Sequence, residues 1–213
     1  MIQAIFFDQD NTLVNTREVA PEVYRMAIEN GEEWQKWLKV VEKVRWSKNP
    51  KDRTFEYSLQ QVIDDKERVL EIIKKERDEL GKVIKLKPGV EKFFKNKIKN
   101  IKYILATEDF DNQIDIKLAK FGMRNKFDLI TTSGDVGVMK PDLGYFRPAW
   151  EKFGLDQRKC LYVGDDYEKD CRLGVETGGK AVVFGKDIQD MGKLFGFINE
   201  KEWFQEEFES HWG

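Results

Sequence analysis

The sequence predicts an α/β fold: a Rossmann-like, doubly wound parallel sheet carrying an inserted all-helical domain. Short apolar runs rich in β-branched and aromatic residues recur along the chain, and segments of helical periodicity lie between them. One stretch, between the first run and the rest, shows helical periodicity alone.

The apolar runs are Ile2–Phe7, Ile101–Ala106, Phe127–Thr131, Lys159–Val163 and Lys180–Phe184. Each reads as a buried strand, because a parallel strand covered by helices on both faces needs apolar residues on both. The intervening helical patterns are Val90–Lys99, Asn112–Phe121, Asp142–Phe153 and Glu168–Glu176. Pro148 falls inside the third, where a kink is expected.

From Thr16 to Gly81 no strand run occurs. Trp34, Trp37, Leu38 and Val41 share one helical face, Phe55, Leu59, Val62 and Ile63 another, and Val69, Leu70, Ile72 and Ile73 a third. Asn49-Pro50 breaks the helices. The expected division is a catalytic core of residues 1–15 and 82–213 with a helical domain of residues 16–81 inserted. Leu86-Lys87-Pro88-Gly89-Val90 re-enters the core. Trp203, Phe204, Phe208 and Trp212 fall near helical spacing, which suits core packing or a dimer contact, so a monomer or homodimer is expected.

The composition limits the function classes. A chain of 213 residues that is 40% hydrophobic is long and apolar enough to bury a core. Its 37 basic and 39 acidic residues nearly cancel, so nothing in the balance favours nucleic acid as a partner. No apolar stretch approaches membrane-spanning length. The charged residues, mostly Lys and Glu, suit ion-pair networks at high temperature. Thermophilic origin is the expectation, and a melting temperature in the mesophile range opposes it. Cys160 and Cys171 match neither a disulfide scaffold nor a zinc pattern, and read as reduced thiols in a cytoplasmic protein. The N-terminal stretch reads as a strand rather than a signal peptide. His211, the sole histidine, lies far in sequence from the other polar clusters, which argues against a histidine-based triad. Gly174–Lys180 has the spacing of a nucleotide phosphate loop. However, Ala181 stands where Ser or Thr would hold a metal, and the segment precedes a strand instead of following one.

The chemistry gathers at the carboxyl ends of the strands, where open α/β sheets bind ligands. The first run ends in Asp8-Gln9-Asp10-Asn11-Thr12 and the second in Thr107. The third leads into Lys140-Pro141-Asp142, and the fourth ends in Gly164-Asp165-Asp166 with Asp170 following. Crowded carboxylates require a cation, and hard oxygen donors suit magnesium. Magnesium beside a carboxylate is an arrangement for phosphoryl transfer, with Thr107 able to bond a phosphoryl oxygen and Lys140 able to neutralise growing charge. A lone aspartate also caps helices, which is the reading for Asp142.

Taken together, Phe7-Asp8-Gln9-Asp10-Asn11-Thr12-Leu13, Thr107, Lys140-Pro141 and Val163-Gly164-Asp165-Asp166 with Asp170 resemble the four ordered motifs of the haloacid dehalogenase superfamily. The resemblance implies that Asp8 attacks phosphorus and Asp10 serves as general acid and base. It implies magnesium on Asp8, Asp165 and the Asp10 backbone carbonyl. Thr107 and Lys140 would bind phosphate, and Asp170 and Asp166 would act around the metal. An acid at position 10 resembles the phosphatases and phosphomutases of the superfamily, and residues 16–81 match the placement of its helical cap. Two departures stand out: Gln9 is polar where an apolar residue is common, and Glu108-Asp109 follows Thr107. Solvent exposure ranks first for these two carboxylates, with Glu108 also a candidate substrate contact. The expected substrate is a small phosphorylated metabolite. A phosphomutase and a non-catalytic binding relative are the alternatives.

Overall fold

The computed structural model describes residues 1–109 and 111–199. Strands β1 (Ala4–Phe7), β2 (Lys102–Thr107), β3 (Leu129–Thr132), β4 (Cys160–Gly164) and β5 (Lys180–Val183) form one sheet in the order β3-β2-β1-β4-β5. Every pairing is parallel. Phe7 stands opposite both Leu105 and Val163, so β1 is central and Asp8 leaves the sheet between β2 and β4.

Alternation along the strands divides the core into two layers. Ile5, Phe7, Tyr103, Leu105, Leu161, Val163 and Val182 point to one face. There they meet helix α5 (Val90–Lys95), helix α6 (Asp111–Leu118) and helix α10 (Leu194–Asn199) through Phe93, Phe94, Ile114, Leu118 and Leu194. Ala4, Phe6, Ile104, Ala106, Cys160, Tyr162 and Ala181 point to the other. Helix α8 (Leu143–Phe153) covers that face with Tyr145, Phe146, Ala149 and Trp150. Phe6 stacks on Tyr162 at 4.9 Å, and Trp150 Nε1 donates to the Tyr162 hydroxyl at 3.0 Å. Burying each such ring contributes roughly 1.5–3 kcal/mol of transfer free energy. Helix α8 runs through Pro148 without interruption, and Asp142 caps it by accepting from the Gly144 amide at 2.7 Å. Short helices α7 (Ser133–Val136) and α9 (Arg172–Glu176) complete the core, the latter continuing a π turn at Tyr167–Cys171.

Between β1 and α5 lie α1 (Thr16–Ile28), α2 (Gly31–Val44), α3 (Phe55–Gln60) and α4 (Lys66–Val83). Asn30, Thr54 and Asp65 cap the last three with side-chain acceptors. These helices bury a cluster of their own, with Ala27, Ile28, Trp37, Leu59, Ile63, Val69, Ile72 and Ile73 at its centre. Trp37 stacks with Trp34 at 5.1 Å and donates from Nε1 to Ser58 at 2.8 Å. Of the expected apolar faces, Leu38 and Leu70 turn out to be exposed, and Trp46 is 76% exposed. Leu70 immediately follows buried Val69, and one residue is a 100° turn of the helix, enough to carry a side chain off the apolar stripe. Among the described residues no helix is long and apolar enough to cross a membrane. Both cysteines are buried and free. Gly174–Lys180 forms the end of α9 and the turn into β5. Trp203, Phe204, Phe208, His211 and Trp212 lie outside the described residues.

Candidate active site

The turn after β1 places the first two carboxylates. The amides of Leu13 and Val14 both donate to the Gln9 carbonyl, and Asn11 adopts a left-handed φ of 64° to close the turn. Asparagine tolerates that conformation better than most residues. Asp8 therefore follows directly from the sheet, and its amide still donates to the Val163 carbonyl of β4 at 2.8 Å.

Lys140 is the hub of the site. Its side chain is 2% exposed, and Nζ donates to Asp8 Oδ1 at 2.6 Å, to the Ala106 carbonyl at 3.1 Å and to Asp170 Oδ1. Thr12 Oγ1 donates to the other Asp8 oxygen at 3.1 Å. Carboxylate oxygens of Asp8, Asp165 and Asp170 all lie within 4.8 Å of one another. Asp170 comes this close because residue 164 is glycine: a Cβ there would fall 2.2 Å from the Asp170 side chain. Burial and the Asp170 charge push Asp8 up to about 7, against the pull of Lys140. Burial also raises Asp165, with Asp8 adding to the effect. Burial opposes the charge on Lys140, but Asp170 and Asp8 hold its pKa well above the usual lysine range. Such a site is short of positive charge, and its hard oxygen donors are those magnesium selects.

Thr107 ends β2 almost fully buried, its hydroxyl accepting from the Asp109 amide at 3.1 Å. Asp166 has another task. Its Oδ1 accepts from the Glu168 and Lys169 amides at 3.1 and 3.3 Å and so caps the π turn, while its own amide donates to Asp170 at 3.2 Å.

The helical segment reaches this edge at several points. Thr16 Oγ1 donates to Asp10 Oδ1, Arg17 pairs with Asp165 at 2.9 Å, and Arg53 lies 3.7 Å from Glu108. A cleft of about 430 Å³ opens beside Asp165, bordered by Arg17, Tyr167 and Lys186.

Glu108 and Asp109 do not follow the solvent-first expectation. Glu108 lies between Arg53 at 3.7 Å and Lys169 at 3.6 Å. Asp109 accepts from Lys117 at 2.6 Å and from Gln9 Nε2 at 2.7 Å. Helix α6 begins just beyond Asp109 and returns Lys117 beneath it within two turns. Lys117 also donates to both oxygens of Asp10 at 2.8 Å. The motifs do not contain Lys117, but the sequence held a signal for it. It stands one turn beyond Ile114, which is fully buried, and a lysine on an apolar face needs buried partners. Gln9 is polar because it bonds Asp109.

Glu76 of α4 is buried near Lys117, with one oxygen unpartnered. Burial raises it from 4.5 to about 7, against Lys117, Arg77 and a hydrogen bond from Gln113. Between those two values the folded chain binds more protons than the unfolded chain, so this contribution to stability is lost as pH rises through 7. Glu76→Gln is therefore expected to melt higher than wild type at pH 8, by about 1–3 kcal/mol, with no gain at pH 4.5. Melting curves with the same pH dependence in both proteins would exclude this assignment.

The sequence and the fold have known counterparts. The family model for haloacid dehalogenase-like hydrolases matches residues 2–178. The chain belongs to that family. It is 24% identical over 188 residues to the glyceraldehyde 3-phosphate phosphatase of Methanocaldococcus jannaschii, covering 84% of this chain and 82% of that one. It is 36% identical over 80 residues to the pyrimidine 5'-nucleotidase YjjG of Escherichia coli, an alignment spanning 37% of this chain and 36% of the nucleotidase. In fold it matches a HAD phosphatase from Thermococcus onnurineus with a TM-score of 0.71 at 17% identity, over 93% of this chain and 98% of that one. The HAD-hydrolase YfnB of Bacillus subtilis, solved bound to magnesium, matches with a TM-score of 0.70 at 16% identity, over 93% and 99% of the two chains.

Proposed function

We propose that the protein is a magnesium-dependent phosphatase that hydrolyses a small phosphate monoester through an aspartyl-phosphate on Asp8. The observation that carries this reading is the Asp8 carboxylate at the end of the central strand. Lys140 and Thr12 hold it, and Asp165 and Asp170 lie within 4.8 Å. In the first step an Asp8 oxygen bonds to phosphorus as the ester P–O bond breaks, and Asp10 gives a proton to the leaving oxygen. In the second step water attacks the same phosphorus, Asp10 takes its proton, and the Asp8 carboxylate is regenerated. Thr107 holds the phosphoryl group and Lys140 offsets its growing charge. Magnesium bound by Asp8, Asp165 and the Asp10 carbonyl would supply further charge neutralisation.

Residues 16–81 act in this reading as a cap over a core of residues 1–15 and 82–213. The separate apolar cluster of α1–α4 and the contacts of Thr16, Arg17 and Arg53 with the core support it. The working form is a cytoplasmic monomer or homodimer.

The direct test is p-nitrophenyl phosphate hydrolysis with magnesium and after its removal by EDTA. Release is expected only with magnesium. A screen over a triose phosphate, phosphoserine and a pyrimidine 5'-monophosphate then addresses the substrate. Equal release after EDTA would overturn the metal assignment, and transfer of phosphate between hydroxyls of one sugar would make the protein a phosphomutase.

A further inference from the structure

We propose that Lys117 is a positioning residue for Asp10, fixing the carboxylate that moves protons in both half-reactions. The inference rests on the reading of Asp10 as general acid and base.

The geometry is specific. Asp10 is the more exposed member of the pair, its side chain 34% exposed against 5% for Lys117. Nζ bonds both Asp10 oxygens at 2.8 Å, which fixes the rotation of the carboxylate as well as its place. Lys117 is itself held by Asp109 at 2.6 Å, and Asp109 by Gln9 at 2.7 Å. The chain Gln9–Asp109–Lys117–Asp10 thus begins and ends in the turn that carries Asp8, and it passes through the residue two beyond Thr107. Thr16 holds Asp10 from the first turn of α1. Tyr24 and Glu76 also lie within electrostatic range of Lys117, from α1 and α4. A lysine serving only to neutralise buried charge would not need both oxygens of the partly exposed carboxylate. A fixed carboxylate keeps its remaining lone pairs aimed at one place, which proton transfer requires.

Leaving groups supply the test. Nitrophenolate departs without a proton, whereas the oxygen of an alkyl phosphate needs one. Glycerol phosphate and p-nitrophenyl phosphate are compared at saturating magnesium, the latter also by rapid mixing. The proteins are wild type, Asp10→Asn, Lys117→Met, Lys117→Arg, and the double variant Lys117→Met/Asp109→Asn, which removes a carboxylate with the lysine and protects the fold. For Lys117→Met and the double variant, kcat on glycerol phosphate is expected to fall about 10- to 100-fold with little change in KM. The first-turnover burst of nitrophenolate should stay within about threefold of wild type, and Lys117→Arg should recover part of the loss. A nitrophenolate burst lowered as far as kcat on glycerol phosphate, an unchanged kcat, or a raised kcat on glycerol phosphate would each overturn the proposal. If Asp10→Asn shows no such split, the assignment of Asp10 fails and takes the inference with it.

Discussion

Asp8→Asn is expected to lower phosphate release by about 10⁴-fold or more while leaving the protein folded. The amide oxygen is neutral and a poor electron-pair donor to phosphorus, yet the group matches the carboxylate in shape. Its oxygen can accept from Lys140, where Asp8 Oδ1 now accepts at 2.6 Å, and its nitrogen can donate to Thr12 Oγ1, which stands 3.1 Å from Oδ2. The substitution also removes one of three carboxylates crowded within 4.8 Å. The metal-free variant should therefore melt no lower than wild type. Steady-state phosphate release and a melting curve measured on the same preparation check both halves. Activity retained within about tenfold would remove Asp8 from the nucleophile's place.

Lys140→Met should cost both activity and stability. Lys140 donates to Asp8, Asp170 and the Ala106 carbonyl from a fully enclosed position. Taking it away leaves two buried carboxylates without their cation, a loss of about 3–5 kcal/mol. It also removes the ammonium that offsets phosphoryl charge, so kcat should fall by about 10²–10³-fold. The two effects separate in Lys140→Met/Asp170→Asn. Neutralising Asp170 should restore much of the lost stability, because the surviving pair no longer repels, while kcat stays low. If the double variant regained activity along with its melting temperature, Lys140 would be acting only through the fold.

Much of the site was legible because its chemistry is tied to strand ends. β1, β2 and β4 are apolar on both faces, and such runs stand out from amphipathic helices without tertiary information. Once they are parallel neighbours, Asp8, Thr107 and Asp165 must emerge at one edge. Lys140 and Asp170 follow because the segments carrying them leave the same edge. What stayed hidden depends on side-chain direction. Glu108 and Asp109 read as solvent-facing because no cation adjoins them in sequence; their cations, Arg53, Lys169 and Lys117, come from three other elements. Asp166 read as a residue acting around the metal; consecutive residues point apart, and its Oδ1 caps the turn that follows. Leu38 and Leu70 were indistinguishable from their buried neighbours by residue type alone.

The placement of the indoles makes the molecule its own optical reporter. Trp34 and Trp37 are stacked at 5.1 Å inside the helical segment, close enough for their excited states to couple and give a near-ultraviolet circular dichroism couplet. Trp150 lies under the sheet with its nitrogen on Tyr162, and Trp46 stands in water. Loosening of the α1–α4 cluster will erase the couplet and leave the Trp150 signal intact, whereas melting of the sheet will shift Trp150. Iodide will quench Trp46 ahead of both. Melting of the helical segment and of the sheet can thus be told apart without attaching a label.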